Sequence, residues 1–187
     1  LSKKSFVAMR MRCAIKVSRV NAMKLIIAMT INSQTAVCGI IGKPVRYSLS
    51  PIIHNAAAKH CKVNAVFVAF ESDDYTGAIR AMRALNIREL TITMPYKELI
   101  IPYLDSIEKQ AEIVGNVNTV INTNGHLRGY NTDIDGIGLA LKGIRVRGKT
   151  VALFGAGGAA KTIAHFIVKK GGNLHIVNRD VRQARAL

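Results

Sequence analysis

At 187 residues the chain has room for one domain of ordinary size, or for one domain and part of another. No apolar run approaches the length of a membrane span, and three widely spaced cysteines (Cys13, Cys38, Cys61) form no metal-ligand pattern, which reads as a reduced, cytoplasmic chain without a metal. A net charge of +16 invites nucleic acid as a partner, but no aromatic-rich sheet, zinc spacing or basic recognition helix accompanies it, so nucleic-acid and membrane functions are set aside.

Residues 1–34 read as a basic leader, disordered or non-native. Seven Lys or Arg and no acid fall in residues 1–30, and Met29 is a natural start. From Thr35 onward, strand and helix signals alternate. Residues 36–41 are a strand, followed by a Gly42-Lys43-Pro44 turn, two hydroxyls at Ser48 and Ser50, and a helix opened by Pro51 and running to 61. In an extended segment residues two apart face one side, so both hydroxyls can meet one carboxylate; a plain N-cap role for Ser50 is the other reading. Residues 65–70 form a second strand. Residues 76–85 form a helix with Ala78, Ile79, Met82 and Leu85 on one face.

A third strand over 89–93 leads to Thr93 and Lys97, just past a strand end, where ligands sit in open α/β sheets. Lys97 beside apolar neighbours suits proton transfer, and equally suits an exposed helix start. A helical stretch is expected over 97–113. Asn124-Gly125 between strands at 120–122 and 127–130 predicts a hairpin. Asn118, Thr132 and Asp133 bracket it, readable as polar ligands or as a turn residue and helix-start groups. A helix over 133–142 follows.

The densest later basic cluster, Arg145, Arg147 and Lys149, precedes a second βαβ pattern. Residues 150–154 and 173–177 are strands around a helix over 159–170. The turn Gly155-Ala156-Gly157-Gly158-Ala159-Ala160 matches a dinucleotide turn: glycines for tightness and close backbone approach, a helix N-terminus for the anion. After the second strand, Asn178 and Arg179 suit a 2′-phosphate, whereas Asp180 suits a free ribose hydroxyl; Arg179 and Arg182 also read as a solvated helix start. An open cofactor sheet has about six strands, so this half reads as the first part of one.

Taken in order, Gly-x-Pro-x-x-x-Ser-x-Ser-Pro-x-x-His-Asn, Thr-x-Thr-x-Pro-x-Lys, Gly-x-Val-Asn-Thr, Gly-Tyr-Asn-Thr-Asp-x-x-Gly and Gly-Ala-Gly-Gly-Ala resemble the shikimate dehydrogenase family over residues 36–187. The resemblance implies an α/β fold: a substrate-binding α/β domain (35–135), then a linker and the first half of a Rossmann-type NADP-binding domain (136–187). It implies NADP-dependent reduction of 3-dehydroshikimate to shikimate in aromatic amino acid biosynthesis, with NAD as a possible cofactor. By position, Ser48, Ser50, Thr93, Lys97, Asn118, Thr132 and Asp133 would bind substrate, with Lys97 as acid/base and Asp133 its partner. Gly155, Ala156, Gly157, Gly158 and Ala159 would hold the pyrophosphate, and Asn178, Arg179, Asp180, Arg182 and Gln183 the adenosine end. The family usually has Asn where Thr91 stands and Phe where Tyr96 stands. Ser50 favours shikimate over quinate; a quinate/shikimate enzyme and an inactive binding fragment are the alternatives. The expected state is monomer or homodimer, and the 187 residues alone are expected to turn over negligibly.

Overall fold

The computed structural model describes residues 31–187; the basic leader up to residue 30, with Met29 and Cys13, lies outside the described residues. Residues 31–34, assigned to that leader by composition, carry a turn: Asn32 and Thr35 exchange hydrogen bonds, and the Thr35 hydroxyl donates to Asn64 Oδ1 at 2.7 Å.

Six strands make the main sheet: β1 (Ala36–Gly42), β2 (Ala65–Glu71), β3 (Glu89–Ile92), β4 (Ser106–Ile107), β5 (Thr119–Thr123) and β6 (His126–Tyr130). Their order is β2-β1-β3-β5-β6-β4, with β1 parallel to β2 and β3, and β5 antiparallel to both β3 and β6. The near-continuous burial of Cys38 to Gly42 along β1 is what a central parallel strand covered on both faces requires. Helices α1 (Ser50–His60) and α2 (Tyr75–Ala84) make the two parallel crossovers. Asp74 caps α2 by accepting from Gly77 N at 2.6 Å, and the helix turns Ile79 and Met82 into the core. Leu85, expected on that apolar face, is the C-cap and is exposed. The main core joins Met82, Leu90, Ile92, Ile100, Val120 and Leu127, all at most 1% exposed.

The expected helix over 97–113 is corrected. Pro102 has no N–H, and the segment instead makes a 3₁₀ turn (Ile101–Tyr103), the short strand β4 and a short helix α3 (Lys109–Val114). Asp105 N donates to the Leu127 carbonyl, so the chain is captured by the sheet edge before an α-helix can continue. The hairpin is as read: Asn124 and Gly125 have φ of 53° and 86°, the pair a two-residue type I′ turn demands. Arg83 braces its tip, bonding the Asp105 carboxylate through both terminal nitrogens (2.8 and 3.2 Å) and the Gly125 carbonyl.

After α4 (Asp133–Ala140) come β7 (Thr150–Phe154), α5 (Gly158–Lys169), β8 (Asn173–Val177) and the short α6 (Val181–Arg185). β7 and β8 pair in parallel as a separate two-stranded sheet, with Phe154 and Val177 exposed. Among the described residues no helix is long and apolar enough to cross a membrane. Cys38 is a free thiol that burial pushes up to about 12, with the Glu89 carboxylate adding to the shift.

Candidate active site

Strand reversal gathers the polar residues. The carboxyl ends of β1 and β3 share one sheet edge; β5, running the other way, begins there, and β6 returns to it. The backbone links are successive: Thr93 N to Ile41 O, Ile92 N to Asn118 O and Asn118 N to Tyr130 O, at 2.8 to 3.0 Å. Thr93, Asn118 and the segment after Tyr130 therefore stand side by side. Thr93 is half-buried, and a Cβ on Gly42 would run into its Cγ2 and lie 2.8 Å from the Met94 carbonyl, so β1 needs glycine at this approach.

Lys97 and Asp133 meet at that edge. Lys97 Nζ donates to Asp133 Oδ2 at 2.8 Å, and Asn118 Nδ2 donates to the other oxygen, Oδ1, at 2.6 Å. Both carboxylate oxygens are thus fixed by donors. Asn118 Oδ1 accepts from the Thr132 backbone N–H at 2.9 Å, and the Thr132 hydroxyl lies 3.1 Å from Asn118 Nδ2. Lys97 sits in a turn anchored by buried Tyr96 and Ile100; the Tyr96 hydroxyl donates to Ser72 O at 2.6 Å, and the Lys97 carbonyl accepts from Val117 N. Lys97 is neither mid-helix nor free in solvent: its side chain is 19% exposed and that of Asp133 37%. An ammonium has three donors; among the described residues one serves Asp133 and two remain for a ligand. Both residues line a cavity of about 700 Å³ between α4 and α5 that also touches Ala159 and Ile163.

Ser48 and Ser50 differ from their expected geometry. The chain does not run extended through them: Ser48 N bonds Val45 O in a turn, and Leu49 is the helical N-cap. Ser48 Oγ accepts from Ser50 N at 3.2 Å, so Ser48 does the capping work assigned to Ser50. The Ser50 hydroxyl makes no bond among the described residues, and both serines are half-buried. Neither lines the Lys97 cavity. What holds their loop is Glu71, at the end of β2. Its carboxylate accepts from Val45 N (3.0 Å), Arg46 N (3.2 Å) and the Arg46 guanidinium (2.6 Å).

Those bonds hold the Glu71 carboxyl down from 4.5 to about 2, the Arg46 side chain first and Val45 N second. A carboxyl lowered on folding stabilises the folded state above its unfolded value and loses that contribution as pH falls through the folded one. The urea midpoint of the chain should therefore exceed that of Glu71→Gln above about pH 4.5, and the gap should close as pH falls toward 2. A gap that does not change with pH would contradict this.

At the second sheet, Gly155 has φ of +102°, Gly157 is the N-cap of α5, and a Cβ at either would meet no atom within 4 Å. Ala156 and Ala159 complete a turn whose backbone is open to a ligand at the N-terminus of a 12-residue helix, a fit for a pyrophosphate. Past β8, Asn178 Nδ2 donates to the Asp180 carbonyl at 2.8 Å and reaches Gln183 Oε1 at 3.3 Å. Asp180 Oδ1 accepts from Arg182 N, capping α6; Arg179 and Arg182 are exposed.

The two halves are joined by a buried polar chain for which sequence reading had no role. Asn131 (3% exposed) donates to Asn116 O and to Thr162 Oγ1, both at 3.1 Å, and accepts from Asp133 N at 3.1 Å. Asn116, fully buried, donates to Gly158 O at 2.9 Å. Lys161 pairs with Glu98 at 2.8 Å across the same junction. Asn116 and Asn131 stand inside the Gly-Asn-Val-Asn and Gly-Tyr-Asn-Thr-Asp motifs, which was the available signal.

The family model of the shikimate dehydrogenase substrate-binding domain matches residues 40–120. A shikimate dehydrogenase (NADP⁺) of Alkaliphilus metalliredigens is 44% identical over 162 residues, covering 84% of this chain and 57% of the relative. The crystal structure of shikimate dehydrogenase from Aquifex aeolicus superposes with a TM-score of 0.81 at 39% identity, over 84% of this chain and 60% of that one. The Thermus thermophilus shikimate 5-dehydrogenase, solved with NADP(H) and shikimate, gives 0.75 at 31% identity, over 81% of this chain and 59% of that one. The chain spans less than two thirds of the length of these proteins.

Proposed function

We propose that, over the stretch it shares with them, the chain belongs to the shikimate dehydrogenase family, and that its residues serve the NADP-dependent interconversion of 3-dehydroshikimate and shikimate. The observation that carries the reading is the Lys97–Asp133 pair at 2.8 Å, opening on a cavity that reaches the start of α5. Residues 35–135 act as the substrate-binding part, and residues 136–187 follow as linker and cofactor-binding part.

In this reading Ser48 and Ser50 hold the ring carboxylate, while Thr93, Asn118 and Thr132 meet ring hydroxyls. A nicotinamide cofactor, when bound, would supply the hydride for the ring ketone. Lys97 gives a proton to the ketone oxygen as it becomes an alcohol, and regains one from solvent. Asp133, with Asn118 on one oxygen and Lys97 on the other, fixes the ammonium and accepts from a neighbouring hydroxyl. Several buried donors built around hydroxyls penalise analogues that lack them. The turn from Gly155 to Ala159 holds the pyrophosphate. Asn178, Arg179, Arg182 and Gln183 face the adenosine end, where the guanidinium groups suit a 2′-phosphate.

Titrating the chain with shikimate, followed by calorimetry and amide chemical shifts, tests the substrate half. Saturable binding is expected, with shifts at residues 48–50, 93, 97, 118 and 132–133. Ser50→Ala should weaken it about tenfold, the size of one charge-assisted hydrogen bond, and leave NADP⁺ binding unchanged. No saturable shikimate binding, or binding indifferent to Ser50→Ala, would overturn the assignment.

A further inference from the structure

Between Asp135 and Asp180 the sequence has eight Lys or Arg and no carboxylate. Five of them, Lys142, Arg145, Arg147, Lys169 and Lys170, line one cavity of about 590 Å³ between the end of α4 and the end of α5. None of the five pairs with an acid among the described residues, although ion pairs form elsewhere, as at Arg46–Glu71, Arg83–Asp105 and Lys161–Glu98. Helix dipoles account for cations at the two helix ends. They do not account for Arg145 and Arg147, which lie on the loop entering β7.

That loop is held. Val146 is buried between the two arginines; Gly148 N donates to Gly171 O at 2.8 Å and Lys149 N to Val146 O at 3.0 Å. A Cβ on Gly171 would lie 3.5 Å from Arg147 Cγ, so the arginine stem runs along the turn after α5. The Phe166 ring forms part of the wall, with Lys170 Nζ 5.7 Å from its centroid. Holding five like charges around one hollow costs repulsion that a bound anion would relieve.

We propose that this basin binds a compact multivalent anion of the phosphate class, gripped by Arg145 and Arg147, with Lys142, Lys169 and Lys170 around it. It is distinct from the glycine turn, which lies at the other end of β7, roughly 15 Å away at strand rise. A concave basin suits a compact anion, whereas nucleic acid calls for a stripe of cations along a face or helix.

Tripolyphosphate titrated into the 187-residue chain at low salt provides the test. Saturable binding is expected with amide shifts at residues 142–147 and 169–171, separable in the titration from any shifts at the glycine turn, residues 155–160. Arg145→Ala/Arg147→Ala should weaken it about tenfold or more, while Lys59→Ala/Lys109→Ala, at exposed cations outside the basin, leaves it unchanged. Circular dichroism of both variants serves as the check that they fold. Binding that survives the first pair and is lost with the second would overturn the proposal, as would shifts confined to residues 155–160 or failure to saturate. So would a short DNA duplex that binds more tightly than tripolyphosphate and loses affinity in the first variant.

Discussion

Lys97→Ala, placed in a chain of the relatives' full length, is expected to lower kcat for NADPH-dependent reduction of 3-dehydroshikimate by about 10²-fold or more. Its KM should move far less. An acid/base acts on the proton as the alcohol forms, so its loss falls on the transition state, and kcat and kcat/KM drop together. Two features sharpen the expectation. The ammonium is mostly buried and oriented by Asp133, and among the described residues no other cation lines the cavity it opens on. Lys97→Arg should not rescue turnover, because a guanidinium stays charged at all working pH values. In the 187-residue chain the companion measurement is shikimate binding, which Lys97→Ala should change by no more than a few-fold. A loss of binding as large as the loss of turnover would recast Lys97 as a ligand-holding residue only.

Asn131→Leu carries the largest stability effect. The substitution leaves Thr162 Oγ1, the Asn116 carbonyl and the Asp133 N–H without their partner in a region almost closed to water. Orphaned buried polar groups cost about 1–3 kcal/mol each when they cannot reach solvent. With partial relaxation the expected loss is about 2–4 kcal/mol of unfolding free energy in urea. Because the members act as one network, Asn131→Leu and Thr162→Val should be non-additive by more than about 0.5 kcal/mol in a double-mutant cycle. Additivity within that margin would show that the asparagine merely fills space.

Much of this was legible in the chain because local signals and tertiary demand agree. The β7 and β8 bounds, the Asn124-Gly125 turn and the placing of Ile79 and Met82 on the buried face of α2 all follow from period or positive φ. The region 97–113 was not legible, because its apolar spacing fits a helix. What overrides it is Pro102 together with the backbone of β6, which captures Asp105, Ser106 and Ile107 from far along the sequence. The serine loop misled for a related reason. Residues two apart share a side only in extended backbone, and Leu49 is helical. Glu71, 21 residues beyond Ser50, holds that loop, and no local pattern connects them. Lys97 and Asp133 could be named from motifs, but their meeting depends on β5 running against its neighbours, a property of topology alone.

The cap on α6 sets up an internal competition. Asp180 Oδ1 is already engaged by the Arg182 N–H, so a ligand hydroxyl seeking that oxygen must first displace a bond of the protein's own. Losing such a cap costs about 1 kcal/mol, which discounts affinity by roughly fivefold. A ligand that approaches the exposed guanidinium groups of Arg179 and Arg182 pays no such toll. In the proposed cofactor site, selectivity would thus be written partly as a handicap, imposed by a carboxylate on whatever would use it, before any favourable contact with an anion is counted.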